Sequence, residues 1–507
     1  MTGNDAARML TEEQLVAAAS REKKIYIQAS PGSGKTTVAV QRFGFLRFGS
    51  RANLVESGRD ARPVVALSFT RSATRELRQR IRDTWGQAAL AWPHRVATID
   101  TLVFDLLSHL LRHELLTWPS GCKDLEIHDS WKALVRHAYA RVEVAVVLNG
   151  RAVEIVRTFA SVSKVRPEPI PFSETIARGI CTHEDIRRVL EMALEDPELT
   201  EQVRMRLRQT MRALIVDEVF DGNALDVKLI ELAEAAGIEV TLVGDPWQAL
   251  YDFRGARPDL VDGLVKRKSF RELPLEKSFR WQSKSQLELA SALRDGVGFQ
   301  VSEYYMGISD GPLPDVVLCS KWKPLWAVDD SVLPLAFGAA KGNLVEAAST
   351  LLLDCFLRSR FHLSATYLAD ALATLGVTDQ SALGRMEPML SEVIARLGSS
   401  ESSKALKEVY SALIGVVGSE SGREFPKVHH NYTKRLDSLR RRIVHQGKLT
   451  PGVTIHQSKG REWDVVALQL DAEEAAHLRR GLDYANEDHR RLYVACTRAR
   501  YRTVVLA

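Results

Sequence analysis

Residues 25–37 read Ile-Tyr-Ile-Gln-Ala-Ser-Pro-Gly-Ser-Gly-Lys-Thr-Thr. A short β-type run, Ile25–Ala29, leads into a glycine-rich turn, and an apolar-periodic stretch, Thr37–Phe48, follows it. Strand, loop and helix in that order are the context a phosphate-binding loop requires. Gly32 and Gly34 let backbone N–H groups turn inward around phosphate oxygens, and the helix N-terminus adds a favourable dipole. Lys35 suits the β- and γ-phosphates and Thr36 suits Mg2+. Ala29, Ser30, Pro31, Ser33 and Thr37 complete the candidate nucleotide-binding loop, with Ala29 where the strict pattern has glycine. A glycine turn with an incidental lysine is the plain alternative; the flanking strand and helix argue against it.

Outward from this loop the alternation continues. Val64–Phe69 and Val96–Ile99 are β-type runs, with the helical pattern Ser72–Arg82 between them. Further runs follow at Ala213–Val216 and Val240–Val243. Strand–helix alternation predicts a parallel sheet with covering helices. The run Leu214-Ile-Val-Asp217-Glu218 ends in two carboxylates. Beside a phosphate loop, Asp217 suits Mg2+ and Glu218 suits the activation of water; alone, such a pair equally suits a helix cap. Gly244-Asp-Pro-Trp-Gln248 follows another strand, so Gln248 is a candidate to sense a γ-phosphate or orient water, although its neighbours also suit a simple turn.

A length of 507 residues predicts more than one domain. The periodicities place a first α/β domain at 1–100 and 206–270, interrupted by a mostly helical insertion at 101–205. A second α/β domain is expected at 271–356 and 451–507, with strands at Asp315–Cys319, Val332–Phe337 and Thr503–Leu506. A reduced helical insertion, 357–450, interrupts it. Hydrophobic residues at 45% and charged residues at 26% exclude a disordered, collagen-like or coiled-coil protein. A net charge of +5 permits nucleic-acid binding without demanding it. The five cysteines, at 122, 181, 319, 355 and 496, are too scattered for a disulfide framework or a zinc ribbon. No secretory leader and no membrane-length apolar run is visible. The expectation is a soluble cytoplasmic protein with no membrane partner.

Segments matching in order along the chain resemble the UvrD/Rep-type superfamily 1 DNA helicases. Leu10-Thr-Glu-Glu-Gln14 resembles their Q motif, and Ser68–Arg78 (SFTRSATRELR) their TFTNKAAxEMR motif. Thr98–Thr101 resembles TxHS with Asp100 in place of His, and Asp217–Asp221 resembles DEFQD. Gly244–Ala256 resembles GDPxQSIYxWRGA, and Leu275–Arg280 resembles LxxNYR. Thr454–Trp463 resembles TxHxAKGLEF, and Glu487–Ala499 resembles the last motif.

The resemblance implies an α/β fold of two RecA-like P-loop motor domains with mostly helical insertions. It implies ATP and Mg2+ as cofactors and 3′-to-5′ movement on single-stranded or partly duplex DNA. Gln14 would read adenine, although Thr11 and Gln14 also have capping-box spacing. Phe279 would stack on adenine, with core packing as its alternative, and Glu462 would bind the ribose beside Gly460. Arg280 and Arg498 would reach the γ-phosphate, where arginines stabilise developing charge. Together with Lys35, Asp217, Glu218 and Gln248 they form the implied catalytic set. DNA would lie on Phe69, Thr98, Tyr251, Phe253, Arg254 and His456, the aromatic faces giving sequence-tolerant stacking.

The departures are equally specific. Phe220 replaces the glutamine that would link the ATP site to DNA-facing elements, and Thr37 stands where many relatives have arginine. The stretch between Arg280 and Thr454 is short, and one strand follows Arg498, so no nuclease domain is expected. A motor of this kind resembles the helicase subunits of Gabija-type anti-phage systems, which work beside a separate nuclease subunit. That motivates an alternative: a regulatory protein through which ATP and DNA gate a nuclease, with little unwinding of its own. Two basic clusters are candidate phosphate paths or solvated faces: Arg204, Arg206, Arg208 and Arg212, and Lys434, Arg435 and Arg440–Arg442. His429 and His430 have no accompanying ligand set to make a metal site.

Overall fold

The computed structural model describes residues 10–49, 60, 62–128, 142–159, 170–252, 255–306, 313–340, 342–377, 380–426 and 430–507. They form two compact units, one ending at Arg280 and the other beginning at Trp281.

The first unit is built on β1 (Lys24–Ala29), β2 (Val64–Ser68) and β3 (Arg95–Thr98). An insertion then carries β4 (Glu126–His128), β5 (Val142–Asn149), β6 (Ala152–Phe159) and β7 (Ile180–Thr182). The sheet resumes with β8 (Ala213–Asp217), β9 (Glu239–Gly244) and β10 (Arg271–Leu275). Its order is β10-β1-β9-β8-β2-β3, with every neighbouring pair parallel. Successive side chains on a strand point to opposite faces. Tyr26, Val65, Leu67, Leu214 and Val216 therefore feed one apolar core, and Ile25, Ile27, Val64, Ala66 and Ile215 feed another. Burial on both faces explains why these strands read as continuous apolar runs.

The helix Lys35–Phe48 packs close against Arg71–Trp85. A Cβ at Gly44 would lie 1.9 Å from the Trp85 indole, whose Nε1–H donates to the Val40 carbonyl at 3.1 Å. Glycine is required there by space, despite its cost inside a helix.

Two boundaries differ from expectation. The strand Arg271–Leu275 does not open the second domain; it is an edge strand of the first sheet, paired with β1 from Ile25–Arg271 to Ala29–Leu275. The insertion is not mostly helical throughout either. It contains the antiparallel hairpin β5–β6 and the parallel pair β4–β7 beside its helices. Short strands flanked by helical patterns left too little periodicity to separate the two types.

The second unit holds β11 (Glu303–Tyr304), β12 (Val316–Cys319), β13 (Val332–Pro334), β14 (Thr450–Thr454), β15 (Trp463–Gln469) and β16 (Ala499–Leu506). They form a second all-parallel sheet in the order β11-β16-β15-β12-β14-β13. Between β13 and β14, five helices run among the described residues, from Leu344–Phe361 to His430–Ile443. This helical run begins at Leu344, earlier than the expected 357. No helix among the described residues is long and apolar enough to cross a membrane. All five cysteines are free thiols.

The basic cluster at the end of the second insertion is largely committed to structure. Arg442 is buried, donating to the carbonyls of Val332, Trp326 and Asp329 at 2.9–3.1 Å. Arg435 pairs with Glu346, and Arg440 with Asp437 at 3.2 Å. Arg442 and Arg435 tie the helix His430–Ile443 to its neighbours, whereas the Arg440 pair lies within it; Lys434 is exposed.

Candidate active site

The nucleotide-type loop leaves the carboxyl end of β1. Gly34 caps the helix Lys35–Phe48 with φ 87°, in the left-handed region open to glycine. Gly32 has φ 74°, and a Cβ there would meet the Arg280 Cβ at 2.5 Å and the Ser278 Oγ at 2.8 Å. The segment after β10 therefore lies directly over the loop. The Phe279 N–H donates to the Gly32 carbonyl at 2.9 Å, and the Ser278 hydroxyl donates to the Pro31 carbonyl at 2.7 Å. Ser278 was not anticipated as part of the site; its only sequence signal is its place between the strand and Arg280. The Ser33 hydroxyl is buried and has no hydrogen-bond partner. A buried unpartnered donor beside two turned glycines and a helix N-terminus fits a phosphate oxygen. Thr36, in the first turn, and Asp217, at the end of β8, carry the hard oxygens Mg2+ takes.

Gln14 takes the capping-box arrangement that its spacing with Thr11 predicts. It closes a capping box with Thr11, donating its N–H to the Thr11 Oγ1 at 3.2 Å and accepting the Thr11 N–H on Oε1 at 3.1 Å. Its Nε2 donates to the Ser33 carbonyl at 2.9 Å. One amide hydrogen remains for a ligand. Phe279 is not in the core: it is 36% exposed, with the Lys277 ammonium 5.5 Å from its ring centroid.

The acidic pair follows β8, two strands from β1. At a strand spacing of about 4.8 Å this is roughly 10 Å. Asp217 is buried, and its Oδ1 accepts the Glu218 N–H at 3.1 Å. Glu218 has φ 56°. A non-glycine residue in that conformation costs about 1–2 kcal/mol, and such strain gathers at functional positions. β9 lies between these strands and ends at Gly244. Buried Asp245 caps the following turn and accepts the Gln248 Nε2 hydrogen bond at 2.7 Å. Asp245 thus positions Gln248, a role its turn-type residue identity had hidden. Loop, acidic pair and glutamine all stand at the carboxyl edge of one parallel sheet, where open α/β sheets bind ligands.

Phe220 explains itself by packing. It is 2% exposed, meets the Tyr26 ring edge-on at 5.9 Å and fills the space a Cβ on Gly244 would need. Replacing it with alanine should destabilise the first unit by about 3–5 kcal/mol, read as a lowered urea midpoint of that unit. Asp100, which takes the place of a histidine in its motif, belongs to a charge triad. Arg187 donates to Asp100 at 2.7 Å and to buried Asp226 at 2.9 Å. Burial lowers the Arg187 pKa, but the two carboxylates outweigh it and hold the guanidinium above its ordinary value. Arg187→Met strands a buried carboxylate, so thermal unfolding should show a loss of about 3 kcal/mol. Arg187→Met/Asp226→Asn should recover part of it.

Among the implied DNA contacts, Phe69 follows β2 and approaches Gly222, while Thr98 caps the helix Ile99–Arg112 by accepting the Thr101 N–H at 3.3 Å. Tyr251 is half-buried in the first unit. Phe253 and Arg254 lie outside the described residues, as does His429. No group of three or more potential metal ligands occurs among the described residues.

In the second unit, half-buried His456 lies in the short helix Ile455–Ser458. Gly460 has φ 81° with open space where a Cβ would stand, and Glu462 beside it is exposed. Arg498 is not on the surface: it is buried before β16, its Nε donating to the Val494 carbonyl at 3.0 Å.

The chain matches the family model of an AAA domain over residues 12–254 and that of the UvrD-like helicase C-terminal domain over 427–506. The chain belongs to the UvrD/Rep-type superfamily 1 helicases. ATP-dependent DNA helicase Rep of Escherichia coli is 25% identical over 272 residues, 50% of this chain and 38% of Rep. DNA helicase II of Haemophilus influenzae is 24% identical over 280 residues, 50% of this chain and 36% of that protein. A shorter likeness, 30% over 115 residues, links 23% of the chain to 7% of an ATP-dependent helicase/nuclease protein of Heliobacterium modesticaldum. The chain thus spans well under half the length of the first two of these UvrD/Rep relatives.

Proposed function

We propose that this UvrD-like chain is a cytoplasmic ATP-driven motor that moves 3′-to-5′ on single-stranded DNA and opens partly duplex DNA. Each parallel sheet with its helices is one motor domain. The first draws on 1–100 and 206–275 and the second on the strands after Trp281 and on 451–507, with 101–205 and 357–450 as accessory insertions. The observation that carries this reading is the seating of Phe279 and Arg280 on Gly32, at the sheet edge that also bears Asp217, Glu218 and Gln248.

In this reading the loop N–H groups and Lys35 hold the β- and γ-phosphates, and the Ser33 hydroxyl adds a donor. Thr36 and Asp217 would hold Mg2+, which when bound would supply charge neutralisation. Glu218 takes a proton from the attacking water while Gln248 fixes that water in line. Arg280 and Arg498 stabilise the charge that builds on the γ-phosphate as its bond to the bridging oxygen breaks. Phe279 stacks on adenine beside Gln14, and Glu462 holds the ribose beside Gly460. Phe69, Thr98, Tyr251, Phe253, Arg254 and His456 line the strand's path. Fork DNA with a single 3′ tail tests this: ATP should open it, and a 5′-tailed fork should stay closed. Opening from the 5′ tail alone would reverse the polarity, and movement without opening would remove strand separation while keeping translocation.

A second reading rests on Phe220. Its apolar ring, buried against Tyr26, has no hydrogen-bonding group of its own to relay DNA occupancy to the acidic pair. Such a chain suits an ATP- and DNA-gated regulator of a separate nuclease subunit. Slow hydrolysis with strong activation of a partner nuclease favours this reading; fast hydrolysis driven by DNA alone removes it.

A further inference from the structure

A cavity of about 880 Å3 in the first unit stands apart from the site above. Pro63, His94 and Arg95 line it where β2 and β3 begin, and Gln209 and Thr210 line it before β8. The ATP-type loop, the acidic pair, Phe69 and Thr98 all stand where the strands end. Five residues of strand, about 16 Å, separate the two edges. Its size falls within the roughly 300–1,000 Å3 of small-ligand pockets.

Its chemistry is uneven. Leu102, Phe104 and Pro93 give it an apolar floor. Trp92 stands at the rim, 93% exposed, an unusual cost for an indole that supports no core. The lining holds Arg62, Arg95, Arg112 and Arg206 against one carboxylate, Asp105. Arg95 pairs with Asp105 at 2.9 Å, Arg62 with Asp60 at 2.6 Å, and Arg112 with Asp124 at 2.8 Å. Arg206 forms no ion pair among the described residues. The Ser108 hydroxyl is buried, lines the cavity and has no hydrogen-bond partner.

The histidines report the field. The His109 ring lies 4.3 Å from that of His113, tilted by 58°, and burial, Arg206 and His113 push its pKa down to about 4. Burial, Arg47 and Arg212 push His94 down to about 4 as well. Both imidazoles are neutral at physiological pH and stand in a positive potential. The His94 Nδ1 accepts the Val64 N–H at 3.1 Å, so its proton sits on Nε2.

We propose that this cavity is a second binding site for single-stranded nucleic acid, taking one base on the face of Trp92 and the adjoining phosphate on Arg206 and the Ser108 hydroxyl. One open aromatic face beside one uncommitted cation matches the repeating unit of such a strand, one base and one phosphate. An acidic peptide would need several uncommitted cations, and three of the four arginines are already paired. Arg206 belongs to the first basic cluster. Of the others, Arg204 binds Glu201, Arg212 donates to the Leu46 carbonyl, and exposed Arg208 does not line the cavity.

The test uses the full chain without ATP and a fluorescein-labelled oligothymidylate of roughly 20 nucleotides. Trp92→Ala and Arg206→Glu should each weaken binding about tenfold, while Trp92→Phe and Arg206→Lys stay near wild type. Trp92 supports no packing, so its loss does not threaten folding. Turnover at saturating DNA should be unchanged in all four variants. Affinities within about twofold of wild type for both Trp92→Ala and Arg206→Glu overturn the proposal. So does a polyglutamate peptide whose binding needs Trp92 while the oligothymidylate's does not, which would assign the cavity to an acidic protein partner. Wild-type turnover with and without DNA reads the motor separately, so failure of that reading is distinguishable from failure of this one.

Discussion

Lys35→Ala is expected to lower ATP turnover by about 10²–10³-fold, measured as phosphate release at saturating Mg2+·ATP. Lys35 is the first residue of the helix capped by Gly34, where the loop N–H groups and the helix dipole also favour an anion. Removing it takes a full charge from a site arranged for phosphate, and both ATP affinity and turnover should fall. Lys35 belongs to neither apolar core of the first unit, so thermal stability should fall far less than turnover does. Turnover that survives the substitution would show that phosphate chemistry happens elsewhere.

Glu218→Gln should behave differently. Turnover should fall by about 10²–10⁴-fold, the usual contribution of a general base. Binding of a fluorescent ATP analogue should persist, because the loop, Lys35 and Asp217 are untouched. Glutamine is nearly isosteric with glutamate, so the left-handed backbone at 218 costs much the same in both. Loss of binding together with turnover would move Glu218 from proton transfer to structure. Lys35→Ala and Glu218→Gln thus separate binding from chemistry.

The strand–loop–helix around Lys35 was readable because each feature has a local cause: an apolar run, two glycines and a helical period. The acidic pair and Gln248 were legible for the same reason, as polar residues at the ends of apolar runs. Contacts between segments distant in sequence were not. Arg271–Leu275 reads as a strand, but its pairing with Ile25–Ala29 is set by tertiary packing that no local pattern encodes. Ser278 became part of the site only through that pairing, which carries the following residues over Gly32. Arg187, which joins Asp100 to Asp226, is likewise invisible from its own neighbourhood. Phe220 was singled out as a departure, and only its packing on Tyr26 gives the reason. The cavity beneath Trp92 left a single trace in the sequence, the arginine cluster at 204–212, and that trace did not distinguish Arg206, which lines the cavity, from its neighbours.

ATP hydrolysis by the intact chain, measured with and without single-stranded DNA and repeated on Lys35→Ala, tests the central claim most directly. A DNA-driven motor predicts turnover that rises at least about tenfold with DNA and vanishes in the variant. Turnover that ignores DNA in the folded wild-type chain would contradict the motor and leave a switch governed by a partner.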